Sequence, residues 1–411
     1  MKPITQLIHH PYQAPGDFAS PQLPVHKASS VFFNTVEDML HRQWLDKSGY
    51  TYGLHGTPST FTLEERLCAL EGAKHCVLLP SGLAALAQVN LAFLAAGDEV
   101  LLPDNAYGPL KTLADGELAR FGITHQFYDP MQPSDLQTRI TVKTKLVWLE
   151  APGSVTLEFP DLPALVRLCR AKGVLCALDN TWGAGLAFQP FNLPTAEVGE
   201  SFGVDISVHA LTKYPSGGGD VLMGSVTTCR DDLARSLKLS HMRLGFGVAG
   251  NDVELVLRSL PSIEMRYRMQ DKSCRQLAAW CLQQDAFAQV LHPAVVSSPG
   301  HVHWRQLCAA NETTTDVVHA GGLAASLLSL RFQPRFTTAQ VHAFCNALKL
   351  FKLAYSWAGP ISLVVPYQLG SMRSMAAPEM LQGGLVRLAV GFEDSADLQA
   401  DLAQALSVVQ G

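Results

Sequence analysis

The chain has 411 residues, with 31 Lys and Arg against 36 Asp and Glu, a formal net charge of −5, and 16% charged residues. That balance sets up no field for a polyanion, so nucleic acid is excluded as an expected partner, while the length suffices to bury an active site. MKPITQLIHH lacks the basic and apolar regions of a secretory signal, no apolar run is long enough to span a bilayer, and the nine cysteines include no CxxC pair; a cytoplasmic protein with reduced core cysteines is predicted.

Residues 1–60 are rich in proline, histidine and aromatics with weak periodicity, and are expected to form an extended N-terminal arm that reaches a neighbouring subunit. From 61 to about 260 the pattern alternates. The apolar runs CVLL (76–79), EVLL (99–102), KLVWLE (145–150) and VLCALD (174–179) read as parallel strands, and segments such as 161–172 as crossover helices. Loops with ligand chemistry follow the strand ends, where open α/β sheets bind ligands. Beyond 260 come a long helical segment (262–290), a His/Pro/Ser-rich connection (292–303), a strand over LAASLLSLRF (323–332), a helix (338–349), the loop AYSWAGP (354–360) and LVRLAVGFED (385–394). Residues 261–411 thus predict a smaller α+β domain.

Four features carry chemistry. Ser81-Gly82 opens an apolar helix whose first amides have no partner within the helix, a place for a phosphate. Tyr107, in DNAYGP, can stack on a flat ligand. Asp179 ends a strand, where a carboxylate can cap a turn or hold a protonated ring nitrogen. Lys213, in HALTKYPSGGGD, lacks a carboxylate neighbour in sequence, and a buried amine of that kind forms a Schiff base with an aldehyde. The glycines 217–219 are expected to let the chain pass close to a cofactor; the GxxxxGK[ST] nucleotide-loop spacing is absent. Together these describe the needs of pyridoxal 5′-phosphate. His301 and His303 have an HxH spacing but no third ligand in view, so no metal is expected.

The ordered motifs YGLHGTPSTFTLEERLCALEG, LPSGLAAL, DNAYGP, EAPGS, LDNTWGAG, HALTKYPSGGGD, AYSWAGPISL and VRLAVGFED resemble the Cys/Met-metabolism family of pyridoxal-phosphate enzymes, most closely its β-lyase branch. The resemblance implies fold type I: a large cofactor-binding domain (61–260) with a mixed, mainly parallel seven-stranded sheet, a C-terminal small domain (261–411), and a homotetramer of two active dimers. It implies α,β-elimination of L-cystathionine to homocysteine, pyruvate and ammonia, extending to other cysteine S-conjugates. A γ-type relative is the alternative, disfavoured by Trp357 where those relatives carry leucine; a non-catalytic binding protein is a further rival. Lys213 would be the Schiff-base lysine, Asp179 the partner of the pyridine nitrogen and Tyr107 the ring stacker, also sharing proton transfers. Ser81, Gly82, Leu83, Thr212 and Ser207 would hold the phosphate, and Arg387, Ser356 and Trp357 the substrate. Tyr52 and His55 would reach into the neighbouring subunit's site. The family's Tyr-x-Arg reads Tyr52-Gly53-Leu54 here, and Leu54 supplies no charge to that phosphate; a missing charge-assisted bond is worth about 1.5–3 kcal/mol unless replaced.

Overall fold

The computed structural model describes residues 20–194, 202–309 and 316–410, together with Thr5 and Thr314. Of the expected N-terminal arm, residues 1–4 and 6–19 lie outside the described residues. The remainder of the arm is largely exposed, with Phe32 97% accessible.

Seven strands form the first sheet: β1 (His75–Leu79), β2 (Glu99–Pro103), β3 (Thr124–Tyr128), β4 (Thr144–Glu150), β5 (Leu175–Asp179), β6 (Ile206–Ala210) and β7 (Gly224–Thr228), in the order β1-β7-β6-β5-β4-β2-β3. The pairs among β2 to β6 are parallel; β7 runs antiparallel to both β1 and β6. Both faces are covered, which explains the continuous apolar runs in the sequence. Along β4 the side chains alternate between two cores. Val147 and Leu149 pack with Leu165 and Val166 of helix Leu162–Lys172. Leu146 and Trp148 pack with Leu86 and Val89 of helix Gly82–Phe93.

The second sheet joins β8 (Phe287–Leu291), β9 (Leu327–Phe332), β10 (Lys352–Leu353), β11 (Leu363–Tyr367) and β12 (Leu385–Ala389) in the order β10-β11-β12-β9-β8. Helix Thr338–Ala347 packs on the C-terminal helix Ser395–Gln410 beside it. Here the structure corrects three expectations. The long helix covers Ile263–Cys281, not 262–290. The polar run Gln283-Gln284-Asp285 ends the helical pattern, and FAQVL, which fits either period, becomes β8 by pairing with β9. The expected connection 292–303 gives way at His301 to a helix, His301–Cys308, introduced by Gly300 at φ +79°. The strand expected over 323–332 begins only at Leu327, because Ala325 lies at φ +62°.

All nine cysteines are free thiols, but Cys229 is exposed and Cys308 only partly buried, so not every one is a core residue. No described helix is long and apolar enough to cross a membrane.

Candidate active site

The carboxyl ends of β4, β5 and β6 open onto a cavity of about 280 Å³, at the small end of small-molecule sites. Its wall includes Ser81, Gly82, Leu83, Tyr107, Glu150, Asp179, Thr181, Trp182, Thr212, Lys213, Trp357 and Arg387. The large-domain residues come from successive strand ends; Trp357 and Arg387 come from the loop before β11 and from the middle of β12.

At one end, helix Gly82–Phe93 points its N-terminus at the cavity. Ser81 caps it by accepting the Ala84 N–H at 3.0 Å. Its hydroxyl hydrogen is left to donate. A β-carbon on Gly82 would stand 2.6 Å from Ala210 Cβ, so only glycine lets the helix start approach β6 this closely. Thr212 lies alongside, with its hydroxyl against Met223 O at 3.3 Å.

Lys213 follows the end of β6, and its Nζ donates to Ser356 Oγ at 2.9 Å and lies 5.5 Å from the Trp357 ring centroid. Burial, then the Arg387 charge, lowers its pKa to about 8 against the opposing pull of Asp179. Roughly a tenth of the amine is then neutral at pH 7, against less than one part in a thousand for an ordinary lysine. The sign follows directly: the nucleophilic neutral form grows with rising pH through about 8. Cofactor capture by the apoprotein, followed by the return of visible absorbance, is therefore expected to accelerate with pH and level off above about pH 9. An unperturbed lysine would keep accelerating to beyond pH 10.

Asp179 is held in place by Thr181, whose N–H and hydroxyl donate to Oδ1 at 3.1 and 2.6 Å. Burial raises its pKa, while those bonds and the nearby His209 and Lys213 oppose the rise. On the far face of β6, His209 and Glu71 are both fully buried, with His209 Nδ1 3.5 Å from Glu71 Oε1. Tyr107, 42% exposed, stands over the opening, its backbone N–H bonded to Glu150 Oε2 at 2.8 Å.

Arg387 is 7% exposed, yet its Nε has no hydrogen-bond partner, and no ion pair reaches its guanidinium among the described residues. Its Nη2 donates to Ser356 O at 3.2 Å, and Tyr367 lies 5.5 Å away. The turn that carries Ser356 is strained, with Ser356 at φ +92° and Ala358 at φ +63°.

The structure therefore gathers Lys213, Asp179, Tyr107, Ser81, Gly82, Leu83, Thr212, Ser356, Trp357 and Arg387 at one place, and it leaves three expected residues apart. Ser207 is fully buried but absent from the cavity wall: alternation along β6 turns Val208 and Ala210 to that side and Ser207 away from it. Ala210, at the position facing the helix start, brings no hydroxyl. Tyr52 and His55 are absent from the wall of this chain's own cavity: His55 lines a second cleft, where it stacks on Trp44 at 4.8 Å and bonds Thr51 Oγ1 at 2.8 Å, and Tyr52, 47% exposed, meets the His55 ring edge-on at 5.9 Å. The glycines 217–219 do not line the cavity either. Gly217 and Gly219 turn the chain at φ +64° and +74°, and Gly217 leaves room for the Arg266 guanidinium. His301 bonds Pro293 O, and among the described residues no cluster of three or more potential ligands could hold a metal.

Glu150, Thr181 and Trp182 were not singled out from the sequence. The signal for Glu150 was present, since it ends β4 as Asp179 ends β5.

A lysine whose amine is partly neutral near pH 7, a buried arginine without an ion pair among the described residues, a strand-end carboxylate and a helix start facing one cavity make a site that fits pyridoxal phosphate and an amino acid. A helix start able to take an anion, a carboxylate able to face a ring nitrogen and an amine able to meet an aldehyde all line the cavity, so the residues fit that cofactor. A family profile described as "Cys/Met metabolism PLP-dependent enzyme" matches residues 4–407. The chain belongs to this family, and its cofactor is pyridoxal phosphate. It is 34% identical over 415 aligned positions to the cystathionine beta-lyase of Bordetella avium, covering 98% of each chain. It is 32% identical to the cystathionine beta-lyase MetC of Escherichia coli K12, covering 92% of this chain and 91% of that one. The crystal structure of metB from Corynebacterium glutamicum superposes with a TM-score of 0.82 at 26% identity, covering 98% of this chain and 97% of that one.

Proposed function

We propose that the protein is a pyridoxal-phosphate-dependent carbon–sulfur lyase that splits L-cystathionine by α,β-elimination into homocysteine and an enamine, which one water hydrolyses after release to pyruvate and ammonia. The observation that carries this reading is Arg387, a buried guanidinium beside Lys213 with no ionic partner among the described residues, which fits a substrate α-carboxylate next to the amine that handles Cα. The names borne by the relatives at 32–34% identity support the substrate and the reaction.

When bound, pyridoxal phosphate supplies an aldehyde for the substrate amine and a ring that takes up the electron pair left at Cα. Ser81, the amides of Gly82 and Leu83, and Thr212 would hold its phosphate, Asp179 would pair with its ring nitrogen, and Tyr107 would stack on the ring. The Lys213 amine would remove the Cα proton, and Lys213 or Tyr107 would return a proton to the departing thiolate. Ser356 would keep Lys213 aimed, with the Trp357 ring 5.5 Å from its Nζ on the cavity wall.

Residues 61–260 and 261–411 serve as the large and small domains, a division supported by the confinement of each sheet to one of them. Tyr52 and His55 belong to the neighbouring subunit's site, in a homotetramer of active dimers; the exposed apolar arm residues Phe32, Val36 and Leu40 support an arm that docks on another chain. The unpaired cysteines favour the cytosol.

The test is incubation of the cofactor-loaded protein with L-cystathionine and identification of the keto acid by mass. Pyruvate with homocysteine is expected. Formation of 2-oxobutyrate with cysteine would move the protein to the γ-cleaving branch.

A further inference from the structure

Two carboxyl groups stand side by side on the cavity floor. Glu150 and Asp179 end adjacent parallel strands, are paired in register, and both line the cavity. Their surroundings are unequal. Asp179 accepts two hydrogen bonds from Thr181 and has Lys213 and His209 near enough to favour its anion. Glu150 accepts only the backbone N–H of Tyr107, and its electrostatic neighbour is Asp179 itself. Tyr128, at the end of β3, and the Tyr107 phenol also feel the Glu150 carboxyl, and neither can lend it a positive charge.

We propose that Glu150 is a positioning residue that stays protonated in the assembled site: it fixes the Tyr107 loop over the cavity and leaves the floor's single negative charge to Asp179. Two carboxylates a strand spacing apart on one cavity floor oppose each other's ionisation, and the proton settles on the one with fewer donors and no cation. Burial, reinforced by the Asp179 charge, pushes the Glu150 carboxyl well above the ordinary range. As an acid, Glu150 accepts the Tyr107 N–H at Oε2 and keeps an O–H on its other oxygen. The benefit is electrostatic. One anion faces the ring nitrogen, and Lys213 is not driven back toward its ordinary pKa by a second.

This inference rests on the assignment of Asp179 to the ring nitrogen, and the experiment separates the two. Glu150→Gln, neutral and nearly the same shape, is expected to bind pyridoxal phosphate as tightly as the parent and to keep the pH midpoint of its visible absorbance within about 0.3 unit. Its infrared difference spectrum against the parent should lose one carboxylic-acid carbonyl band. Glu150→Ala, which releases the Tyr107 backbone, is expected to lower kcat/KM roughly tenfold, mostly through kcat, with Glu150→Gln restoring it. Should the alanine variant fail to fold, Glu150→Asp, one methylene short of Tyr107, serves the same purpose. A midpoint that falls by about one unit in Glu150→Gln, or no lost carbonyl band, would show that Glu150 is an anion and overturn the proposal. Unchanged kcat/KM in both Glu150→Ala and Glu150→Asp would remove the positioning role. Normal cofactor affinity in Asp179→Asn would instead sink the assignment of Asp179 on which the inference stands.

Discussion

Lys213→Ala is expected to abolish turnover and the visible absorbance of the cofactor-loaded protein while leaving the fold intact. The reasons are geometric. Lys213 is the amine on the cavity wall, Asp179 stands at the adjacent strand end, and its Nζ is aimed by Ser356 at 2.9 Å. A lysine whose pKa burial has lowered to about 8 costs folding energy in the free chain, so its removal relieves a penalty. The variant should therefore melt no lower than the parent apoprotein. The loss of rate should be about a millionfold, as for other residues that form the covalent link and move the proton. Retention of both absorbance and turnover would show that another amine carries the chemistry; loss of solubility along with activity would leave Lys213→Arg, still cationic but without a usable nucleophile, to decide.

The same physics explains which parts of the molecule could be read from the sequence. Strands β1, β2, β4 and β5 were legible because burial on both faces demands unbroken apolar runs. Strand β7 was not, because its buried side chains include Thr227 and Thr228, polar groups that become acceptable once Thr227 finds Glu71 at 2.6 Å and Thr228 finds Asp205 O at 2.8 Å. Partners more than twenty residues away in the chain leave no local trace. The site shows a similar division. Lys213, Asp179, Tyr107 and Gly82 lie at strand ends and helix starts, where a residue type out of keeping with its surroundings announces chemistry. Ser207 fails that logic by one strand position: the two-residue period of β6 hands the cavity to Val208 and Ala210. Tyr52 and His55 were assigned to a neighbouring chain, and within one chain neither lines the cavity. Glu150 opens the EAPGS motif and occupies at the end of β4 the position that Asp179 occupies at the end of β5.

Arg387 supports the second large effect. A guanidinium 7% exposed, with Nε unpartnered and no ion pair among the described residues, is an expensive arrangement in the free protein. It persists because β12 holds it from both sides: Arg387 pairs with Val365 on β11 and with Ser329 on β9, and neither neighbour brings a negative charge. Substrate binding is expected to supply the missing anion. Arg387→Met, apolar and of similar length, should therefore lower kcat/KM by roughly 30- to 5,000-fold, the range for truncating one member of a buried charge pair at about 2–5 kcal/mol. The loss should appear chiefly in KM for amino acid substrates, because the carboxylate is held in the ground state as well as the transition state. Two further readouts make the assignment specific. The Tm of Arg387→Met should equal or exceed that of the parent, since an uncompensated buried charge has been removed. The nearby Lys213 should regain a higher pKa, because Arg387 is one of the two influences that lower it; the pH at which cofactor capture levels off should move upward. Arg387→Lys keeps the charge without the planar fork, and it should recover the Lys213 behaviour but not the affinity. A Tm that falls by many degrees in Arg387→Met, with KM unchanged in the fraction that remains folded, would make Arg387 a structural residue and require another group for the carboxylate.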